Sequence, residues 1–284
     1  MLDSSPVVLA WWIALSAISL VNITAWVVVA VALARRKPTL EPEEYAARRL
    51  QLALAAVFVA GCAFRSWLPR AEGQRICLYD SWISSAMIAR WVATVAELSL
   101  VTQWSLVLRQ YGRAAGARGV VAASWLPVPF IAFAEVNSWY TTLTTNFIGS
   151  VVEESTWAVT GTLIVVCFLW LLPRQTGARR RFVAFAIALN AVYVAFMVSV
   201  DVPMYLSRYR AGQAAGGRYL SLAEGWTDSS QRRVLTRRWE DWRQEMPWMS
   251  LYFSVGVWIS IGLVCAPRAV DSDPLSPSAG RGLA

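Results

Sequence analysis

Histidine is absent from this 284-residue chain. That removes imidazole acid–base chemistry and histidine-ligated metal or haem centres. Lys37 is the sole lysine and follows the first apolar run rather than lying inside one. A Schiff-base lysine within a late span, and any retinal-opsin reading that needs it, is therefore excluded. The four cysteines, Cys62, Cys77, Cys167 and Cys265, form no CxxC pair and no metal cluster. Neither a metal nor another cofactor is expected. Charge is scarce too, at 15% of residues.

Apolar and aromatic residues dominate instead, with 57% hydrophobic residues and 16 tryptophans. Several runs exceed the roughly 18 residues that suggest a membrane span. They place helices over residues 7–34, 48–68, 80–108, 119–136, 148–172, 182–205 and 247–266. The expected fold is an all-α, polytopic integral membrane bundle of about seven transmembrane helices. A single domain would cover 1–270, with the Ser-, Pro- and Gly-rich stretch 271–284 disordered. Arg35-Arg36-Lys37-Pro38 closes the first helix, Pro69 the second and Pro173 the fifth. Pro127 and Pro129 should kink the fourth. The start lacks a basic leader and a small-residue cleavage site, so it reads as a retained span.

The net charge of +8 sits between the apolar runs, which argues for topology and against a nucleic-acid partner. Alternate loops carry Arg35, Arg36, Lys37, Arg48 and Arg49, then Arg109, Arg113 and Arg118, then Arg174, Arg179, Arg180 and Arg181. The positive-inside rule then puts the N-terminus outside and the C-terminus in the cytoplasm. The 206–246 connection disagrees, since its eight arginines fall on the outer side. Within it Leu235, Trp239, Trp242 and Met246 recur at helical spacing after Asp228 or Ser229 as an N-cap. That pattern predicts an interfacial amphipathic helix, read either as a surface helix buttressing the bundle or as a lid over a cavity. The Arg-rich, Lys-poor usage fits a bacterial inner membrane.

Ionisable residues inside spans mark sites or structural ion pairs. At about 1.5 Å per residue, Glu97 lies about 18 Å from Arg109, near the middle of a core roughly 30 Å thick. Arg90, Glu154 and Asp201 lie further out, on the side where Arg65, Asp80 and Glu135 end their helices. The outer half of the bundle is polar and the inner half is nearly hydrocarbon, which predicts an outward-opening cavity. Met87, Arg90, Thr94, Glu97, Val101 and Trp104 share one face of the third helix at 100° per residue. Arg90 and Glu97, about 10 Å apart along the axis, are expected to find partners elsewhere: Arg90 with Glu154 or Asp201, Glu97 near Asn190. Asp80, Glu135 and Glu153 read individually as solvated helix ends. The expected catalytic groups are Glu97, Glu154 and Asp201. Arg90, Asn190, Tyr193, Trp157 and Asp80 are the expected substrate contacts. Asp80-Ser-Trp82 to Glu97 also echoes Asn137-Ser-Trp139 to Glu154 at a constant offset, as an internal repeat would. Cys62 and Cys77 are either a disulfide or two buried thiols.

The run Val151-Val-Glu-Glu-Ser-Thr-Trp157 resembles the Glu-Glu helix of the membrane lycopene cyclases over seven residues, without the proline that precedes the acids there. Intramembrane proteases of the CPBP type also use Glu-Glu, but their following arginine and their histidines are missing. Neither likeness carries a function. The residues themselves fit a metal-free intramembrane enzyme using acid–base carboxylates on a lipid-like or isoprenoid substrate. A receptor- or transporter-like ligand-binding protein, or a non-catalytic scaffold, is the alternative. The bilayer is the one partner the composition demands, and oligomeric state is not encoded in any pattern found.

Overall fold

The computed structural model describes residues 5–268; the stretch 271–284 lies outside them. The fold is an all-α bundle with seven helical stretches long and apolar enough to cross a membrane. They cover Pro6–Thr39, Pro42–Trp67, Ala86–Ala114, Arg118–Thr144, Ile148–Arg174, Gly177–Ala214 and Met246–Val264. The first three are helices α1 (Pro6–Arg36), α2 (Pro42–Trp67) and α3 (Ala86–Ala114). Pro42 opens α2 where a missing N–H costs nothing, and Ser85 caps α3 by accepting from the Ile88 amide.

The prolines of the fourth span break it rather than kink it. It consists of α4 (Arg118–Ala123) and α5 (Pro127–Thr144), with Pro127 at the first position of the new helix. α5 runs well past the expected end at 136, until Thr145 turns the chain through a left-handed φ of 61°. Glu135 is thereby a mid-helix residue. The fifth span is α6 (Ile148–Leu171). The sixth joins α7 (Gly177–Phe196) to α8 (Val202–Ala214) through a π-helical turn, Met197–Asp201. There the Val202 amide donates to the Met197 carbonyl five residues back, just ahead of Pro203, which has no N–H to offer the regular ladder.

The long connection does not form the expected amphipathic helix. Helix α9 (Leu222–Gln231) precedes it, capped by Ser221 and Glu224 in a reciprocal capping box. Asp228, proposed as a cap, instead binds Arg75 at 2.7 Å. Val234–Leu235 is a strand, β3, parallel to β2 (Ile76–Cys77), which pairs antiparallel with β1 (Arg70–Ala71). An open strand edge on β2 offered backbone hydrogen bonds that outweighed a short helical stripe. Helix α10 (Trp239–Trp242) is a single turn whose Trp242 is fully buried, donating its indole N–H to the Thr236 carbonyl at 3.0 Å. The last span is α11 (Met246–Leu251), a second π-helical turn at Tyr252–Gly256, and α12 (Val257–Val264). Asn22 of α1 satisfies a carbonyl of that turn by donating to Phe253 O at 2.8 Å.

The sheet and α9–α10 form a cap over one end of the bundle. Ser5 donates its amide to Arg237 O there, so the N-terminal end belongs to the capped side. At the opposite, arginine-rich end Tyr111 donates to Pro267 O and Arg48 to Val264 O. Five of the eight cap-side arginines are neutralised by neighbouring acids: Arg208 by Glu245, Arg218 by Glu224, Arg232 by Asp228, Arg233 by Asp80 and Arg238 by Asp241. Their number therefore overstates their positive field. Cys62 and Cys77 are buried free thiols. The suggested repeat is not structural, since Asp80 lies in a loop and Asn137 in α5.

Two large apolar clusters hold the bundle, with a smaller one at Val101, Ile131 and Ala134. One joins Val8, Leu15, Phe58, Met249, Phe253 and Val257 of the first, second and seventh spans. The other packs Leu108, Tyr111, Ile164, Phe168, Leu171 and Val183 at the arginine-rich end. Between spans two, three and seven runs a polar clamp: Gln51 Nε2 donates to Gln103 O, Gln103 Nε2 to Gln51 O and Ser260 O, and Ser260 Oγ to Gln103 Oε1. The cap itself is seated by a close approach. A β-carbon on Gly225 would lie 1.9 Å from the Leu143 carbonyl of α5. Gly225→Ala should cost roughly 1–3 kcal/mol through this overpacking. The expected result is faster limited proteolysis across residues 215–221 and a lower Tm, with helix content unchanged. Protection equal to wild type would show that the contact is not tight.

Candidate functional site

At the centre of the capped half, α3, α5 and α6 turn charged side chains toward one another. Arg90 Nη2 of α3 meets Glu97 Oε1 at 3.0 Å and Glu135 Oε2 at 3.3 Å, while Nη1 meets Glu153 Oε1 at 3.3 Å and also bonds to Ser138 Oγ. Thr94 donates to Glu135 at 2.5 Å and accepts from the Trp139 indole at 3.1 Å. Arg90, Glu97, Glu135 and Glu153 are all buried. The three carboxylates place oxygens within 4.8 Å of one another, the spacing of a cation site. The cation that meets all three is the Arg90 guanidinium.

This corrects the expected pairing. Arg90 binds neither Glu154 nor Asp201, and its partner on α3 is Glu97, two turns away on the same face. Two long side chains close a gap that the axial rise alone makes look too wide. Asn190 lines the same cavity as Glu97, but its hydrogen bond goes to Ala186 O of its own helix. Glu135 and Glu153 are no solvated helix ends. Extension of α5 to Thr144 carries Glu135 inside the bundle, and α6 turns Glu153 onto the same face.

Beside the network lies a cavity of about 320 Å³ lined from α3, α5, α6, the sixth and seventh spans and the cap. Of the expected site residues it brings together Arg90, Glu97, Glu154, Trp157, Asn190, Tyr193 and Asp201. Asp80 is not among them; it sits in the cap, 2.5 Å from Arg233 Nε. Several lining residues were not singled out from the sequence: Glu72, Ser138, Tyr205 and Glu245. Glu72 and Glu245 come from loops that only tertiary contacts bring over the bundle, so no periodicity marks them. Tyr205 lies one turn beyond Asp201 and was legible in principle.

The carboxylates on this cavity fall into two sets. Glu72 binds Arg65 at 2.7 Å, and Glu245 takes Arg208 at 2.6 Å, Gln74 at 2.9 Å and the Trp248 indole at 2.7 Å. Glu97 and Glu153 belong to Arg90. By contrast, Glu154 and Asp201 have neither a salt bridge nor a hydrogen-bond partner among the described residues, although Asp201 is only 7% exposed. Asp201 ends the π-helical turn of the sixth span, and Tyr252, Val255 and Gly256 of the other π-helical turn line the same cavity. Such turns concentrate at functional sites.

No family model, curated protein or solved structure matches this chain. The geometry alone carries the reading.

The cavity has one closed end and one apolar flank. Toward the arginine-rich end Trp104, Phe168, Tyr111 and Phe182 pack in succession, with ring centroids 6.0, 6.5 and 5.6 Å apart. The sixth span packs on the fifth, and the seventh on the first and second. Leu189, Val192 and Phe196 face Leu251, Val255 and Ile259 across the cavity between them. Val192, Leu251 and Val255 are also 70%, 47% and 43% exposed on the outer surface of the bundle. The cavity is therefore bordered on this flank by exposed apolar side chains.

Two predictions follow from the ion pairs. Removing one partner of a buried pair leaves the others uncompensated, typically at a cost of about 3–5 kcal/mol. Arg90→Gln should lower the Tm in detergent sharply, and Glu97→Gln much less, because two acids still hold the guanidinium. Equal losses would mean that Arg90 is not the hub. Burial opposes the charged form of Glu72, yet Arg65, Arg90 and its own backbone N–H outweigh it and hold this loop carboxyl below the usual carboxylate range. Its stabilisation is thus complete above the unfolded value of about 4.3 and lost as pH falls through the lower folded value. Glu72→Gln should lower Tm at neutral pH and flatten its decline in acid; a decline as steep as wild type would assign that loss to other groups.

Proposed function

We propose that this multi-pass membrane protein takes a lipid-like or isoprenoid amphiphile sideways from the bilayer into the cavity, where Glu154 and Asp201 act as the acid–base groups on its polar end. One observation carries this reading: a cavity bordered on one flank by exposed apolar side chains contains two carboxylates that form no salt bridge among the described residues. A carboxylate in such surroundings calls for a proton or a ligand. A volume of about 320 Å³ is at the lower end of small-molecule sites, which run from roughly 300 to 1,000 Å³. The Arg90 network then serves to position α3, α5 and α6 around the site. Glu97, spent on Arg90, is a positioning residue in this reading.

Charge placement supports the orientation proposed for the molecule. The uncapped end carries arginine clusters whereas most cap arginines are paired, which favours the cap outward and the C-terminus toward the cytoplasm. The ligand would enter from the outer half of the membrane. The closed aromatic end speaks against passage through the bundle, so uptake and reaction, or uptake and sensing, fit better than transport.

The test is native mass spectrometry of the detergent-purified protein with identification of whatever is retained. Wild type should hold a discrete amphiphile. Val192→Trp and Val255→Trp, which fill the flank, should reduce its occupancy at least tenfold at unchanged Tm. Retention undiminished by both substitutions would end the lateral-entry reading.

A further inference from the structure

The cavity's charges and rings also indicate what kind of polar end it takes. Around it stand seven carboxyl groups, counting Glu135 behind Arg90: Glu72, Glu97, Glu135, Glu153, Glu154, Asp201 and Glu245. The arginines that bind them are Arg65, Arg90 and Arg208, and each is already engaged. The excess is acidic, and two of the carboxylates that line the cavity, Glu154 and Asp201, have no such partner among the described residues. Asp201 is buried, unpartnered and aimed into the cavity, which an acidic cluster satisfied by its own arginines would not require.

Aromatic faces surround these two groups. Trp157 sits one turn along α6 from Glu154, and its ring meets Tyr193 edge to face at 6.3 Å. Tyr205, one turn beyond Asp201, stacks on Phe147 at 6.2 Å. Arg208 already lies over both of those rings, 5.3 Å from Tyr205 and 5.8 Å from Phe147, so this wall accepts a cation on its π-faces. Trp157 and Tyr193 form a comparable pair, but no arginine or lysine of the described residues lies over them. Carboxylates behind aromatic faces are the means by which proteins hold an organic ammonium. Beyond them the lining turns apolar, with Leu100, Val101, Trp104, Ile164 and Ile259.

We propose that the ligand is a cationic amphiphile: its ammonium group is seated against Glu154, Asp201, Trp157 and Tyr193, and its apolar body points toward Trp104 and Ile164. The assignment rests on the proposed function, whose site it deepens. The ammonium belongs either to a lipid headgroup or to a free amine with a hydrocarbon tail, and the chemistry of the seat is the same for both.

Three probes of one chain length separate charge from hydrophobicity: octyltrimethylammonium, octyl sulfate and 1-octanol, added to the maltoside-solubilised full-length protein and read by Tm shift and by displacement of the retained species. The ammonium should bind at least tenfold more tightly than either of the others. The isosteric double variant Glu154→Gln/Asp201→Asn should lose that preference at least tenfold while binding octanol as wild type does, which also reports an intact fold. Octanol equal to the ammonium, or a preference that survives the double variant, overturns the cationic assignment and leaves the cavity reading standing. No probe binding, together with no effect of Val192→Trp, overturns both. Phosphatidylcholine retained in preference to phosphatidylglycerol would support the assignment with a headgroup as the source. Binding of octyltrimethylammonium without that lipid preference would support it with a free amine.

Discussion

The contact of one guanidinium with three carboxylates, deep among apolar helices, is the constraint on which the rest of the structure depends. Arg90 draws Glu97 from its own helix, Glu135 from α5 and Glu153 from α6. Helix packing inside a membrane gains little from the hydrophobic effect, because lipid tails are as apolar as leucine. A charged hub therefore has unusual authority over which helices meet and at what rotation. Here it sets α3, α5 and α6 so that their other polar residues, Glu154 among them, face a common space.

Around that hub the two halves of the bundle differ. One half is closed by interlocked rings from Trp104 to Phe182, and at its end Glu44 pairs with Arg48 and Arg268. The other keeps its acids, two irregular helical turns and a roof built from short strands and turns. The irregular turns have identifiable causes: Pro203 withholds an N–H after Met197–Asp201, and Asn22 supplies a donor to the turn at Tyr252–Gly256. Both re-aim side chains toward the cavity. The cap depends on ion pairs between segments far apart in sequence, Arg75 with Asp228 and Arg208 with Glu245, so roof and bundle are fastened by charge as much as by packing.

Much of the site was legible from chemistry placed in the wrong surroundings. Arg90, Glu97 and Asp201 stand out because charge in a hydrocarbon run is costly, and all three line the cavity. Their pairing was not legible. Axial rise places Arg90 and Glu97 too far apart, while side-chain length brings them to 3.0 Å. Glu135 looked like a helix end because the end of α5 is set by Thr145, an uncharged residue in a left-handed conformation that no composition shift announces, and Glu153 because it lies in the first turns of α6. The cap was misread for a related reason. A few apolar residues at helical spacing lost to a strand edge supplied from another part of the chain.

The sequence by itself determined the number of spans, their approximate positions and which half of the bundle is polar. Those properties follow from local composition and from the length a bilayer demands. Only the tertiary structure decided which carboxylates are neutralised and which are left facing open space. That division depends on helix rotation, on side-chain reach and on loops folding back over the bundle. Glu153 and Glu154 are adjacent in the chain and alike in chemistry, yet one is held by Arg90 and the other faces the cavity. At 100° per residue, one step along a helix is enough to separate a structural ion pair from a binding group.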